Sequence, residues 1–574
     1  MSTYIDNYNS WLTSGCLSQE EIAELESLKD NDKEIRERFA IGLAFGTAGL
    51  RGTMKVGMNA MNVHTVALAT QGLANYIIKV GRQKDSVVVG YDCRNNSKLF
   101  AETTARVFAA NGIHTYLFDD IRPTPELSFA LREFGCTAGV NITASHNPKE
   151  YNGYKAYWDD GAQLSLEAAD AVAAEIDKTD IFGDIKLIAL DDAKESGLIT
   201  MIGAEIDEKY LAAVTAEAVN TDIVRKVADD LKIVYSPLHG CGYKLVPEVL
   251  QRVGVKNLYI VPEQAQPDGN FPTVVKPNPE YFNTFELGIK LANEVGSDLI
   301  FATDPDADRI GAVARSSDGT FVAITGNQMG ALLLDYVLTA YEKKGTMPSE
   351  PYAIKTIVST QLFAKICAAH NVKMYDVLTG FKFIAEVIKN HEKSGHGNFI
   401  LGFEESYGYM KGTYCRDKDA VVASMMVCEM AAYYKDNGMT LIDALENLWK
   451  RMGYSYENTD ELYIKGLDGA AKIASIMEKL RNETPKEFGG VAVTSVGDYL
   501  KGVFTETATG NQTPTGLPSS NVMYFSLENG DTVIARPSGT EPKIKFYYLI
   551  TSADKKTVNA QLETYKNAIK EFTK

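Results

Sequence analysis

Short apolar runs alternate along most of this chain with longer amphipathic stretches, and the runs stop abruptly in polar loops. VVVGYD (87–92) is followed by LFAETTARVFAANG (99–112), and the pattern restarts at KIVYSPLHG (232–240) and at AIKTIVST (353–360). A run of β-branched residues followed by a helix-period stretch predicts a strand and its covering helix; repetition of that pair predicts a mainly parallel sheet between helices. Three related α/β units are therefore expected. The C-terminal stretch differs. VAVTSVGDYLKGVF, a polar loop and VMYFSLENGDTVIARPSG read as strands and turns, with Asn529-Gly530 a tight-turn signal and a closing helix from about Asp554. Near the start, Ser18 with Glu21 forms a capping-box pattern ahead of a short amphipathic helix. Boundaries are expected near residues 206, 328 and 456, giving segments 1–206, 207–327, 328–455 and 456–574.

Composition narrows the class. At 574 residues the chain is too long for one core, and 45% hydrophobic with 23% charged residues is ordinary for a globular protein. A net charge of −17 argues against general affinity for nucleic acid or anionic membrane, so an anionic ligand needs local cations. Seven scattered cysteines without a C-x-x-C pair suggest neither a disulfide framework nor a cysteine zinc site. No basic segment followed by an apolar core opens the chain, and no apolar stretch is long enough for a bilayer, so the cytoplasm is the expected compartment.

Three apolar runs deliver candidate chemistry in the same way, strand then loop: AGVNITASHNP (138–148), DLIFATDPDADR (298–309) and NFILGFEESYG (398–408). Ser145 is a possible nucleophile if a base or a metal assists it, although Ser, Asn and Pro are also common in any polar turn. Asp304, Asp306 and Asp308 alternate, which in an extended segment puts three carboxylates on one side; oxygen-only ligands suit a hard cation, Mg²⁺ first. An EF-hand is excluded because Arg309 and Arg315 stand where that loop needs Gly and Glu. The glycines around Arg51, in FGTAGLRG (45–52), allow close approach to a phosphate that the guanidinium can grip. In RPSGTEP (536–542), Arg536, Ser538, Thr540 and the amides around Gly539 could wrap an anion, or form an edge turn. Glu404, Glu405 and Ser406 offer acceptors for sugar hydroxyls, as any acidic turn would. No Gly-Lys dipeptide of a Walker loop and no G-x-S-x-G elbow is present.

In this order TASHNP, DPDADR, GFEES and RPSGTEP resemble the α-D-phosphohexomutase superfamily, the phosphoglucomutases and phosphomannomutases, over most of the chain. The resemblance implies an α/β protein: three similar mixed α/β-sandwich domains, carrying in turn the phosphoserine, metal and sugar loops, plus a smaller α+β C-terminal domain with a phosphate loop, around a central cleft. It assigns Ser145 as phosphoryl carrier and, with Asp304, Asp306 and Asp308, as the Mg²⁺ site. Arg51, His146, Lys155 and Arg309 would surround the transferring phosphate, with Lys155 the first candidate for general base. Glu404, Ser406, Thr379, Gly380 and Lys418 would meet the sugar; Arg536, Ser538, Gly539 and Thr540 would clamp its distal phosphate.

GFKF after Thr379, and Tyr407 after GFEES, resemble the branch of many bacterial phosphoglucomutases and phosphopentomutase-like eukaryotic enzymes. In the short phosphomannomutase branch a histidine stands where Phe381 does. The implied activity is interconversion of glucose 1-phosphate and glucose 6-phosphate by a monomer or homodimer, with glucose 1,6-bisphosphate as intermediate and activator. A phosphopentomutase, a Mg²⁺-dependent sugar phosphatase and a non-catalytic sugar sensor are the rival readings.

Overall fold

The computed structural model describes residues 3–47, 49–464, 469–538, 543–552 and 554–573. The chain divides into two compact units: residues 1–324 with 385–395 and 407–440, and residues 325–384 with 396–406 and 441–574.

The first unit holds two sheets built on one plan. In the larger, Ala138–Ile142, Val87–Tyr91, Thr115–Phe118 and Ile199–Ile202 run parallel, and Tyr151–Trp158 and then Leu50–Thr53 add antiparallel at one side. In the second, Leu299–Thr303, Lys232–Ser236 and Asn257–Ile260 run parallel, and Ile310–Arg315 and Phe321–Ile324 add antiparallel. Strands such as Val87–Tyr91, Ala138–Ile142 and Leu299–Thr303 are buried at every position, which is why they read as unbroken apolar runs rather than as alternation. A strand buried on both faces has nowhere to put a charge, so polar residues gather where it ends. The capping box at Ser18 is formed and starts the helix Gln19–Glu26.

In the second unit Lys373–Val377, Pro351–Thr356 and Asn398–Glu404 are parallel neighbours. The C-terminal part is an antiparallel sheet in the order Tyr454–Tyr463, Lys543–Ser552, Thr532–Pro537, Met523–Leu527, Val491–Asp498 and Val503–Glu506. Helices Gly469–Asn482 and Lys555–Phe572 cover one face, with Ile473, Leu480, Leu562 and Tyr565 in a core shared with Phe525 and Phe546. The α/β class and the change of character after the third α/β unit are as the sequence led one to expect. Among the described residues no helix is long and apolar enough to cross a membrane.

Candidate active site

Strand Ala138–Ile142 is followed by Thr143, whose hydroxyl accepts the Ser145 N–H at 2.8 Å. The turn puts Ser145 in the left-handed region, φ +53°, where a residue with a side chain is held only by its surroundings. Arg94 is a large part of those surroundings. Buried, it donates through Nη1 to the carbonyls of Pro148 (2.9 Å) and Tyr151 (3.1 Å), and through Nη2 to those of Ser145 and Asn147. Its Nε lies 3.3 Å from Asp92 Oδ2, and its guanidinium sits 5.0 Å from the Phe271 ring centre. One cation thus gathers the carbonyls of the whole serine loop. Arg94 was not among the residues singled out from the sequence, where an Asp-x-Arg after strand Val87–Tyr91 carries no mark of its distant partners.

Close backbone approach sets the neighbouring segment. Gly49 (φ +77°) carries no Cβ because one would fall 1.7 Å from the Tyr154 carbonyl, and at Gly153 it would fall 2.4 Å from that of Thr143. Pairing of Leu50–Thr53 with Tyr151–Trp158 then sets Arg51 opposite Gly153, and its exposed guanidinium donates to Asn147 Oδ1 at 3.0 Å.

The aspartates converge, but by a turn rather than by the strand alternation argued from sequence. Leu299–Thr303 ends before Asp304, and Ala307 takes φ +49°, bending the segment back. All three carboxylates are buried, and each offers an oxygen within 4.8 Å of the others'. How those oxygens are used is informative. Asp304 Oδ1 accepts the backbone N–H groups of Asp308 (3.1 Å) and Arg309 (3.0 Å), while Oδ2 accepts from Ser145 Oγ at 2.8 Å. Asp306 Oδ2 takes Lys155 Nζ at 2.6 Å; Asp308 Oδ2 takes Lys155 at 2.9 Å and Lys418 at 3.1 Å. Oδ1 of Asp306 and Oδ1 of Asp308 are buried with no hydrogen-bond donor among the described residues, and Arg309 Nε lies 3.8 Å from the latter. Buried carboxylate oxygens in that condition are costly, and an all-oxygen set of this spacing fits a hard divalent cation.

Electrostatics agree. Burial, then the charges of Asp306 and Asp308, push the Asp304 carboxyl well above the usual carboxylate range. Burial acts upward on Asp308 too, but Lys155, Lys418 and Arg309 outweigh it and hold that group below its ordinary value. Burial would lower Lys155, yet Asp306 and Asp308 carry it above a free lysine, so it is an ammonium here. Burial, with Arg309 and Arg51 nearby, drops His146 well below the usual histidine value; its neutral ring has Nδ1 3.1 Å from Ser145 Oγ. Arg309 is further tied to Glu280 Oε1 at 2.9 Å.

Lys418, grouped in the sequence with the sugar contacts, stands in this cluster. Its Nζ donates to Asp417 Oδ1 at 2.9 Å, and Asp417 is itself held by Tyr157 (2.9 Å) and Gln163 (3.1 Å). Asp419 caps the helix Ala420–Asp436, which fixes the end of the loop.

In the other unit Glu404 ends the strand Asn398–Glu404 and accepts the Gly380 N–H at 2.7 Å. Gly380 has φ +125°, and the buried Thr379 Oγ1 has no partner among the described residues. Glu405 and Ser406 are half-buried; Glu405 accepts from Thr356 Oγ1 at 3.2 Å, and burial, then Glu404, raises its carboxyl while Arg536 and Lys545 oppose the rise. Arg536 lies near the end of strand Thr532–Pro537, and Ser538 donates its N–H to the Lys543 carbonyl at 2.8 Å. Gly539 and Thr540 lie outside the described residues.

Family models described as phosphoglucomutase/phosphomannomutase alpha/beta/alpha domains I, II and III match residues 42–181, 208–319 and 325–452. A phosphoglucomutase of Staphylococcus epidermidis is 38% identical over 516 residues, 90% of this chain and 92% of that protein. One from Staphylococcus aureus is 37% identical over 527 residues, 92% of this chain and 93% of that protein. Among solved structures, the pp63/parafusin phosphoglucomutase of Paramecium aligns with TM-score 0.67 at 17% identity, over 93% of this chain and 96% of that one. A phosphomannomutase assigned in Thermus thermophilus gives 0.66 at 20% identity, over 92% and 99%. At such identities the structural likeness speaks to fold.

Proposed function

Because the chain belongs to the phosphoglucomutase/phosphomannomutase family, we propose that it interconverts α-D-glucose 1-phosphate and glucose 6-phosphate through a phosphoryl group carried on Ser145. The observation that carries this reading is Ser145 Oγ at 2.8 Å from Asp304 Oδ2, in a loop gathered by Arg94 and beside Asp306 and Asp308 bridged by Lys155. Asp304, Asp306, Asp308 and an oxygen on Ser145 would hold Mg²⁺, which when bound supplies charge neutralisation and polarises the phosphoryl group.

In the first half-reaction the 6-hydroxyl oxygen bonds to phosphorus as the bond to Ser145 Oγ breaks. The hydroxyl proton passes to a base and the departing Oγ acquires one, leaving glucose 1,6-bisphosphate and free serine. The bisphosphate turns over, and its 1-phosphoryl group returns to Ser145. Lys155 is the proposed base. That role requires the charges of Asp306 and Asp308 to be taken up elsewhere, because those charges keep its proton on. Arg51, Arg309 and neutral His146 are proposed to hold the equatorial oxygens of the transferring group, with Lys418 steadying Asp308. Glu404, Ser406 and the Thr379–Gly380 turn are proposed to read sugar hydroxyls, and Arg536 with Ser538, Gly539 and Thr540 the distal phosphate. The four-part division at about residues 206, 328 and 456 is proposed on the same footing.

The test is intact-mass analysis with product identification. Incubation with glucose 1,6-bisphosphate should add one phosphate, lost in Ser145→Ala, and glucose 1-phosphate should yield glucose 6-phosphate with kcat/KM above that for ribose 1-phosphate. Inorganic phosphate as the main product, or full turnover by Ser145→Ala, would defeat the mutase reading.

A further inference from the structure

We propose that Thr124 is a positioning residue for the cation-binding carboxylate of Asp306, an inference that rests on the metal reading above. Thr124 is the first residue of helix Thr124–Glu133, set between Pro123 and Pro125, and it is fully buried. Proline on both sides restricts the backbone of this turn, and the β-branched side chain has few rotamers, so the hydroxyl is a stiff fixture.

Two bonds join it to the aspartate loop, 182 residues away in sequence. Its N–H donates to the Asp306 carbonyl at 2.9 Å, and its Oγ1 donates to Asp306 Oδ2 at 2.6 Å. The direction of the second bond is set from behind. Asn141 Nδ2 donates to Thr124 Oγ1 at 2.7 Å, so the hydroxyl has a donor on one side and only its own proton for the other. Reversing the amide would draw that proton to Asn141 and leave two sets of lone pairs facing each other across 2.6 Å. The chain Asn141, Thr124, Asp306 therefore runs one way.

The consequence is which oxygen remains for a cation. Oδ2 of Asp306 is engaged twice, by Thr124 and by Lys155 at 2.6 Å. Oδ1 is buried and has no donor among the described residues. Holding one oxygen of a carboxylate fixes its plane and aims the other. Among the described residues Asp308 has no such stop: its Oδ2 is met by two lysines, whose long side chains adapt. Thr124 is thus the stiff member of the shell behind the carboxylates. Partners of this kind change metal affinity when removed, even though they never touch the metal.

The experiment is calorimetric titration of the full-length, dephosphorylated protein with Mn²⁺, together with the rise in Tm that Mn²⁺ produces. Thr124→Val removes the hydroxyl at constant shape and should weaken Mn²⁺ binding about 10–100-fold and shrink the Tm rise. Thr124→Ser restores the donor and should stay within about threefold of wild type. If the valine variant fails to fold, Thr124→Cys, a weak donor of similar size, is read by the same criterion. Affinity unchanged in the valine or cysteine variant, with only the metal-free Tm lowered, would show a structural role and overturn the proposal. Wild-type protein that takes up Mn²⁺ no better than Asp306→Asn would overturn the metal reading itself, and with it this inference.

Discussion

In the unit that carries Ser145, carboxylates and lysines are buried and cross-linked. Lys155 bridges Asp306 and Asp308, Lys418 bridges Asp308 and Asp417, and Arg94 gathers four carbonyls of the serine loop. In the unit that carries Glu404, the candidate groups stand at the edges of their elements: Thr379, Gly380, Glu405, Ser406 and Arg536 are half-buried, and among the described candidates only Glu404 is buried. The contrast matches two demands of the proposed reaction. Moving a phosphoryl group needs charges already in place before reaction, because reorganising them costs part of the barrier. Reading a sugar that arrives in two orientations needs accessible acceptors with local freedom. The first demand selects burial, the second exposure.

The largest effect expected from breaking this contrast is at Asp308. Asp308→Asn removes the charge on which Lys155 and Lys418 converge and leaves two buried ammonium groups without it. We expect kcat to fall roughly a thousandfold or more, response to Mg²⁺ to be lost, and the metal-free Tm to drop. Steady-state kinetics over a Mg²⁺ series would check it; a variant with near-normal, Mg²⁺-dependent kcat would show that the buried cluster is not the transfer machinery.

A smaller effect is expected in the open region. Glu404→Gln keeps size and one acceptor for the Gly380 N–H but removes the charge. It should cost about 10–100-fold in kcat/KM, carried mostly by KM, with Tm unchanged. If it lowered kcat as far as Asp308→Asn does, the division between a transfer cluster and reading loops would fail.

What was legible beforehand follows the same line. Buried parallel strands announce themselves as apolar runs, so the strands ending at Ile142, Thr303 and Glu404, and the residues just beyond them, could be found. The order of four motifs then pointed to the family. The way the aspartates meet was misjudged, because alternation holds in a strand and Ala307 at φ +49° turns the segment instead. Thr124, Arg94 and the placing of Lys418 beside Asp308 were out of reach for a simpler reason. Their partners lie 182, 51 and 110 residues away, and nothing along a one-dimensional chain marks such a pairing.

The smallest effect concerns a carboxylate whose upward shift no lysine reverses. Glu457, half-buried in strand Tyr454–Tyr463, is raised by burial to about 7, with Thr360 and Lys355 acting in the opposite direction. Burial acts upward on Asp308 as well, and there the contacting lysines reverse it. The sign for stability follows directly. Because the folded value lies above the ordinary 4.5, the folded chain keeps this proton where the unfolded chain loses it. The stabilisation is fully present below about pH 4.5 and is lost as pH rises through about 7. Glu457→Gln mimics the protonated group, so it should melt with wild type at pH 4.5 and roughly 2–4 °C above it at pH 8. Equal melting at both values would mean that Glu457 is compensated after all, and that the two regions differ less in their handling of charge than their geometry indicates.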